Sequence, residues 1–315
     1  MAVLITGTAG FIGSHLADRL LARGEQVIGL DSFDSYYDPS LKRANLATAL
    51  THEAFSLVEA DIRAARALDR AFACAPISQV VHLAARVGVR ASVADPLSYA
   101  DVNVTGTIAV LEACVRHSVN RLIFASSSSV YGLNARLPLS EDDPVTAPAS
   151  PYAVTERAGE LLCQAYHHLH GLSACCLRLF SVYGPRQRPD MAIARFVRAL
   201  DRGEEIRLYG DGSSCRDYTF VDDVVAGLEA ALSVDCGFEI INLGSSQPVA
   251  LTEVVAALAA ALGKAAQPVV SLEDPCEVKY TCADISKAAR LLGYVPRVPL
   301  PEGIARYVDW YRRQQ

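Results

Sequence analysis

Short apolar runs alternate with longer amphipathic stretches through the first 180 residues. The runs "VLIT" (3–6), "QVIGL" (26–30), "FSLVEA" (55–60), "QVVHLAA" (79–85) and "RLIFASS" (121–127) have the length and aliphatic content of buried strands. Between them, helical patterns run from residue 12 and over 40–49, 64–73 and 98–117, and another long helix from 151 leads into "LSACCLRLF" (172–180). Strand and helix in regular alternation predict an α/β fold, a doubly wound parallel sheet with both faces covered. From about 181 the regularity fades as Gly and Pro become denser. The later stretches are "EEIRLYGDGSSCRDYTFVDD" (204–223), "FEIINLGSS" (238–246), an Ala-rich helix at 252–262 and "ISKAARLLGY" (285–294). We expect a sheet domain at 1–180 and a smaller substrate-binding domain at 181–315, with 238–246 a candidate to return to the first sheet.

Composition narrows the class of partner. With 315 residues, 51% of them hydrophobic, the chain can fill a sizeable core. A net charge of −6 provides no footprint for nucleic acid or an acidic membrane surface, so a small-molecule partner fits better. Nine cysteines occur without CxxC pairs or Cys/His metal spacing, which suits buried thiols in a reducing cytosol and no metal site. The longest apolar stretch, "VVAALAAALG" at 254–263, is too short to span a bilayer, and the first residues lack a basic leader. A soluble cytoplasmic protein is expected.

The first strand runs into "TGTAGFIGSH", which puts Gly7, Gly10 and Gly13 between strand and helix, flanking Phe11 and Ile12. Glycines there permit a tight turn and bring backbone N–H groups close to a pyrophosphate at the positive end of the helix, the signature of a Rossmann-type dinucleotide site. The second strand ends in Asp31, 18 residues past Gly13. An acid at that strand tip accepts hydrogen bonds from the adenosine ribose and repels a 2′-phosphate, so NAD is favoured over NADP. Asp61 and Ile62, and Leu83, Ala84 and Ala85, end the next two strands, where ligands of open α/β sheets collect. For Asp61, a helix N-cap is an equal reading.

Taken in order, "TGTAGFIGSH", "HLAA" (82), "NVTGT" (103), "ASSSSVYG" (125), "SPYAVT" (150), "LRLFSVYGPRQRPD" (177), "YGDGSSCRDYTFVDD" (209) and "ADISKA" (283) resemble the extended short-chain dehydrogenase/reductase family of sugar-nucleotide epimerases and dehydratases. The resemblance covers nearly the whole chain. "DSYYDPSLKRANL" (34–46) and "GPRQRPDMA" (184–192) look most like the UDP-glucuronate 4-epimerases. It implies a tightly held NAD, Tyr152 as the base for the sugar O4 proton, Ser127 sharing that hydrogen bond, and a 4-keto intermediate that turns over before hydride returns. A 4-keto uronate is a β-keto acid prone to lose CO2. Ser128, Ser129 and Ser181 match positions that hold its carboxylate, where related decarboxylases carry a glutamate and dehydratases an Asp-Glu pair. Arg188 and Arg216 are candidates for the diphosphate or the uronate, with a surface arginine the alternative for each. Asn103 matches a position behind the active site and reads equally as a satisfied core amide. A homodimer paired through helices 98–117 and 151–170 is also implied.

One residue departs from the pattern. The family motif is YxxxK, and residue 156 is Glu. Residues i and i+4 share a helix face, so a carboxylate there would raise the Tyr152 pKa from its ordinary ~10 and place negative charge beside the cofactor. Arg157 lies about 100° further round the helix and does not substitute. Three readings are open: other groups restore the acidity of Tyr152, the charge of oxidised NAD among them; the protein is a slow or repurposed enzyme; or Glu156 is an introduced change. Decarboxylation, dehydration and a catalytically silent NAD- and sugar-nucleotide-binding role are the alternatives to epimerisation.

Overall fold

The computed structural model describes residues 1–133, 136–210, 212–271 and 278–314; Asp211 of the "YGDGSS" stretch lies outside them. In chain order the first half contains β1 (Ala2–Thr6), α1 (Phe11–Ala22), β2 (Gln26–Asp31), α2 (Pro39–Asn45), β3 (Phe55–Glu59), α3 (Ala65–Ala73), β4 (Ile77–His82), α4 (Val89–Ala94), α5 (Pro96–Tyr99), α6 (Gly106–Arg116) and β5 (Arg121–Ser127). Next come α7 (Pro151–His170), β6 (Ser173–Leu179), β7 (Ser181–Tyr183), α8 (Ala192–Arg202), β8 (Ile206–Tyr209), β9 (Cys215–Phe220), α9 (Val221–Ser233) and β10 (Phe238–Leu243). The chain ends with β11 (Pro248–Ala250), α10 (Leu251–Leu262), β12 (Pro268–Ser271), α11 (Ser286–Leu292) and α12 (Leu300–Arg312).

Seven parallel strands form the main sheet in the order β10-β6-β5-β4-β1-β2-β3. Strand order reverses on either side of β1, which leaves a crevice at the carboxyl ends of β1 and β4, where open α/β sheets bind ligands. Both faces are apolar and covered, as all-parallel sheets require. One face packs under α3, α6 and α7 through residues such as Leu68, Leu111 and Cys163; the other packs under α1 and α9 through Leu16, Leu20, Val224 and Leu228. That second core continues without a break into α8, α10 and α12.

The long helix α7 begins at an Ser150 N-cap whose side chain accepts from the Ala153 N–H, with Pro151 in the first turn. It lies close on β5, because a Cβ on Gly159 would collide with the Phe124 ring. The helix expected over 98–117 is not continuous: α5 and α6 are separated by a π-helical segment, Ala100–Thr105. The wider turn rotates Asn103 inward, as such bulges commonly do at functional sites. Three helices beyond residue 181, α8, α9 and α12, were not anticipated. Each begins without a capping side chain, after Met191, Phe220 and Pro299, and each lies where strand and helix no longer alternate in regular runs.

Asp217 on β9 ties the later segments to the sheet. Its wholly buried carboxylate accepts from the backbone N–H groups of Ser245 (2.6 Å), Ser246 (3.0 Å) and Ala283 (2.9 Å) and from the Ser245 hydroxyl (2.7 Å). Replacing it with alanine strands the buried Ala283 N–H and leaves the more open Ser245 and Ser246 N–H groups without their acceptor. Asp217→Ala is expected to lower stability by about 1–3 kcal/mol in urea unfolding, the cost of one buried unsatisfied donor.

Candidate active site

A cavity of ≈ 840 Å³ lies at the carboxyl ends of the main-sheet strands. Gly7, Gly10, Phe11, Ile12 and Gly13 line one part of it, with Asp31, Asp61 and Ile62 and the β4 tip Leu83, Ala84 and Ala85. Ser127, Ser128, Ser129, Tyr152, Glu156, Ser181, Arg188 and Arg216 line the rest. Thus every side chain singled out from the sequence for cofactor or substrate faces one space.

The glycine turn is a cradle that a side chain would fill. Gly7 has φ +73°, and a Cβ there would stand 2.8 Å from the backbone of Ala84. Helix α1 opens at Gly10, which has no side chain to cap it, so its first N–H groups remain available to an anion. Asp31 accepts from the Ala9 N–H (2.9 Å) and the Phe33 N–H (2.8 Å), which fixes the β2 tip against the turn. Burial raises its pKa, and those two N–H bonds and Lys42 oppose the rise. This set fits a dinucleotide with free ribose hydroxyls.

Asp61 does not cap α3, whose N-cap is Ala64 with no side-chain bond. It accepts instead from the Arg63 N–H (2.8 Å) and from the Arg63 guanidinium at 2.9 and 2.5 Å. That hydrogen bonding chiefly lowers its pKa, so Asp61 stands ionised at the edge of the cavity.

Behind the β4 tip, polar side chains are chained together. The Ala84 N–H donates to Thr6 Oγ1 (3.3 Å), Thr6 Oγ1 meets His82 Nδ1 (2.7 Å), and His82 Nε2 meets Thr107 Oγ1 (3.1 Å), whose hydroxyl donates to the Asn103 carbonyl. One direction of donation satisfies the whole chain if His82 is neutral and protonated on Nε2. Burial holds its pKa down at about 4, which agrees. The Asn103 amide accepts from the Arg86 N–H (2.8 Å) and donates to the Arg86 carbonyl (2.9 Å) and Thr155 Oγ1 (3.0 Å). Asn103 therefore is a satisfied core amide, and one that joins the loop after β4 to the helix carrying Tyr152.

Tyr152 is 7% exposed; its N–H donates to Ser92 Oγ (3.1 Å), and its ring stands edge-on to Tyr99 at 6.2 Å. Burial, and then the neighbouring Glu156, push its phenol well above the ordinary range, while a hydrogen bond with Ser127 and the Arg188 guanidinium pull it down. Ser127 also accepts from the Ser129 N–H (3.1 Å) and donates to Ser129 Oγ (3.0 Å), setting the short 3₁₀ turn Ser128–Tyr131 that holds Ser128.

Arg188 is no surface arginine. Its side chain is 14% exposed, pairs with Asp190 at 3.0 and 2.8 Å and lies over the Tyr36 ring at 5.4 Å. Arg86 lies over the same ring at 5.6 Å. Arg216 donates to the Lys279 carbonyl (2.9 Å). Arg86, Lys42 and Arg195 also line the cavity and were passed over in the sequence. For Arg86 a signal existed, since it directly follows the "HLAA" strand tip.

One turn beyond Glu156, Glu160 is fully buried and saturated. It accepts from Arg178 Nε (2.8 Å) and Nη2 (2.9 Å), Arg157 Nη1 (2.7 Å) and Ser126 Oγ (2.7 Å). Burial favours its neutral form, but Arg178 and the other donors outweigh that and hold its pKa low. Glu156 is 2% exposed, and burial followed by repulsion from Glu160 raises its pKa well above the carboxylate range, with no favourable partner opposing. Glu160→Leu strands the Arg178 charge, 1% exposed, inside the protein. It is expected to cost about 3–5 kcal/mol, read as a fall in the urea midpoint.

A glycine cradle at a sheet switch point, in one cavity with a buried tyrosine bonded to a serine, defines an enzyme that works on a second molecule beside a bound dinucleotide. A profile of the NAD dependent epimerase/dehydratase family matches residues 3–244, and the chain belongs to that family. The chain is 42% identical over 308 residues to a UDP-glucuronate 4-epimerase of Thermodesulfobacterium geofontis, covering 98% of this chain and 95% of that protein. UDP-glucuronate 4-epimerase 3 of Arabidopsis thaliana is 41% identical over 328 residues, 98% of this chain and 76% of that protein. The crystal structure of UDP-glucuronic acid 4-epimerase from Bacillus cereus with UDP-glucuronic acid and NAD superposes with TM-score 0.94 at 37% identity, over all of both chains.

Proposed function

We propose that this protein is an NAD-dependent UDP-glucuronate 4-epimerase that forms UDP-galacturonate. The observation that carries the reading is the buried Tyr152, bonded to the half-buried Ser127, in one cavity with the Gly7 cradle, Asp31 and three further serines. The α1 N-terminus and the Gly7–Gly13 turn would hold the pyrophosphate, and Asp31 the adenosine ribose. Bound NAD supplies the acceptor and donor of hydride at the sugar C4. Tyr152 takes the O4 proton and later returns it, with Ser127 holding O4 in reach. Ser128, Ser129 and Ser181 hold the uronate so that its C–C bond stays out of line with the 4-keto group, which suppresses loss of CO2. Arg188 and Arg216 serve the anionic groups of the nucleotide sugar. The cofactor-binding unit is residues 1–180 with 238–246, and the sugar-nucleotide unit is most of 181–315.

No helix among the described residues is long and apolar enough to cross a membrane. The eight cysteines among those residues are free thiols, which supports a cytoplasmic setting. A homodimer paired through the helical stretches 98–117 and 151–170 is supported by the exposed apolar side chains there: Ile108, Val154 and Leu161 are open. Replacing Val154 and Leu161 together by aspartate is expected to leave monomers in sedimentation velocity.

Incubation with UDP-glucuronate and NAD, followed by NMR, is expected to show galacturonate signals. Tyr152→Phe should lower the rate by about 10²–10⁴-fold. The raised Tyr152 pKa makes the phenolate scarce at neutral pH, so the rate should climb as pH rises from 7. Glu156→Lys is expected to raise the neutral-pH rate by about 10²–10⁴-fold by supplying the missing cation. Glu156 itself favours a second reading, a catalytically silent protein that binds NAD and a sugar nucleotide; no product from either form would support it.

A further inference from the structure

The charges around α7 do not balance at Glu156. Helix α7 places Glu156 and Glu160 one turn apart on one face, and two guanidinium groups, Arg178 and Arg157, bind Glu160. Arg178 otherwise lies over the Tyr131 ring at 4.7 Å. The other ionisable groups turned towards this part of α7 are Cys176 of β6, Tyr99 of α5, Tyr152 itself and Arg188 from the loop after β7. None of them donates a hydrogen bond to Glu156, and the charge that acts on it is the carboxylate of Glu160. A buried carboxylate with neither cation nor donor is among the costliest arrangements in a protein interior. The same group made neutral by a proton has a hydrogen to give, and its side chain lines the cavity beside Tyr152.

We propose that Glu156 is an uncharged carboxylic acid at neutral pH and offers its O–H to a ribose hydroxyl of bound NAD. It presents a hydrogen-bond donor at the motif lysine's position, without the lysine's charge. This rests on the epimerase reading for the identity of the ligand, while the protonation state does not depend on it. A neutral Glu156 adds no negative charge beside the cofactor, which removes the repulsion that an ionised glutamate would impose there. The acidity of Tyr152 then depends on Ser127, Arg188 and the charge of the oxidised cofactor. Ionisation of Glu156 at high pH puts a carboxylate next to Tyr152 and undoes this arrangement.

Two measurements test the two parts. In the unfolded chain Glu156 ionises near its ordinary pKa of ~4.3; in the folded chain it keeps the proton. Between those values, stability falls as pH rises, because the unfolded state gives up a proton that the folded state retains. Glutamine has no proton to lose. The unfolding equilibrium constant of the wild type relative to Glu156→Gln, from urea titrations without substrate, should therefore grow about tenfold per pH unit from about pH 5 up to neutrality. A ratio that stays flat with pH overturns the proposal. Should the glutamine variant fold poorly, Glu156→Met serves as the second reference. The carboxylic-acid C=O stretch in the infrared spectrum of the wild type at pH 7 should disappear in whichever variant folds; its persistence overturns the assignment.

The second part is read from NAD affinity. Wild-type affinity should fall as pH rises through the ionisation of Glu156, Glu156→Gln should hold NAD with little pH dependence through its amide donor, and Glu156→Met should bind NAD more weakly at every pH. Equal affinity in the glutamine and methionine variants overturns the hydrogen bond to NAD. A positive linkage result with no epimerised product would sink the functional reading and leave the neutral acid standing.

Discussion

The buried ion pair between Glu160 and Arg178 is what the active site is hung on. It joins the middle of α7 to β6, inside the protein, with two parallel hydrogen bonds of the geometry that guanidinium and carboxylate groups hold best. The pair fixes the rotation of α7 about its axis. Since residues 152, 156 and 160 lie on one face, that rotation sets where Tyr152 and Glu156 point. Glu160 itself holds both Arg178 and Arg157, and its carboxylate opposes a second negative charge on Glu156 one turn away.

This arrangement changes the meaning of the departure from the YxxxK motif. As sequence, a glutamate in place of a lysine reads as a reversal of charge, because free carboxyl groups are ionised at neutral pH. Burial and the occupied neighbours make it a loss of charge instead. The tyrosine is left with a poorer electrostatic environment, though not a hostile one.

The main sheet was legible because parallel strands buried on both faces leave plain apolar runs with helical spacing between them. The cofactor residues were legible for a related reason: Gly7, Asp31 and the "HLAA" tip all sit at strand ends, where backbone geometry dictates residue type. The three later helices were not legible, since past residue 181 strand and helix no longer alternate in regular runs. Arg86 and Lys42 were missed because a lone basic residue carries no periodic signal; only the packing against Tyr36 and the β2 tip shows where they point. Asp61 was ambiguous for a local reason. Its carboxylate serves Arg63, two residues along, rather than the helix that follows. The charge state of Glu156 could not be read from its neighbours in sequence, because its environment depends on Arg178, brought in from β6.

The edge strand β10 has a consequence for how the chain comes to be folded. It is laid down beside β6 only after the chain has gone out through β7, α8, β8, β9 and α9, and α9 covers α1 on the way back. On a ribosome, the first 180 residues would therefore emerge with one sheet edge unpaired and the α1 side bare. Those surfaces stay open until about residue 243 is available, and contacts so distant in sequence form slowly. The region after residue 180 is thus needed to finish the core, and cutting the chain there would leave the main sheet incomplete.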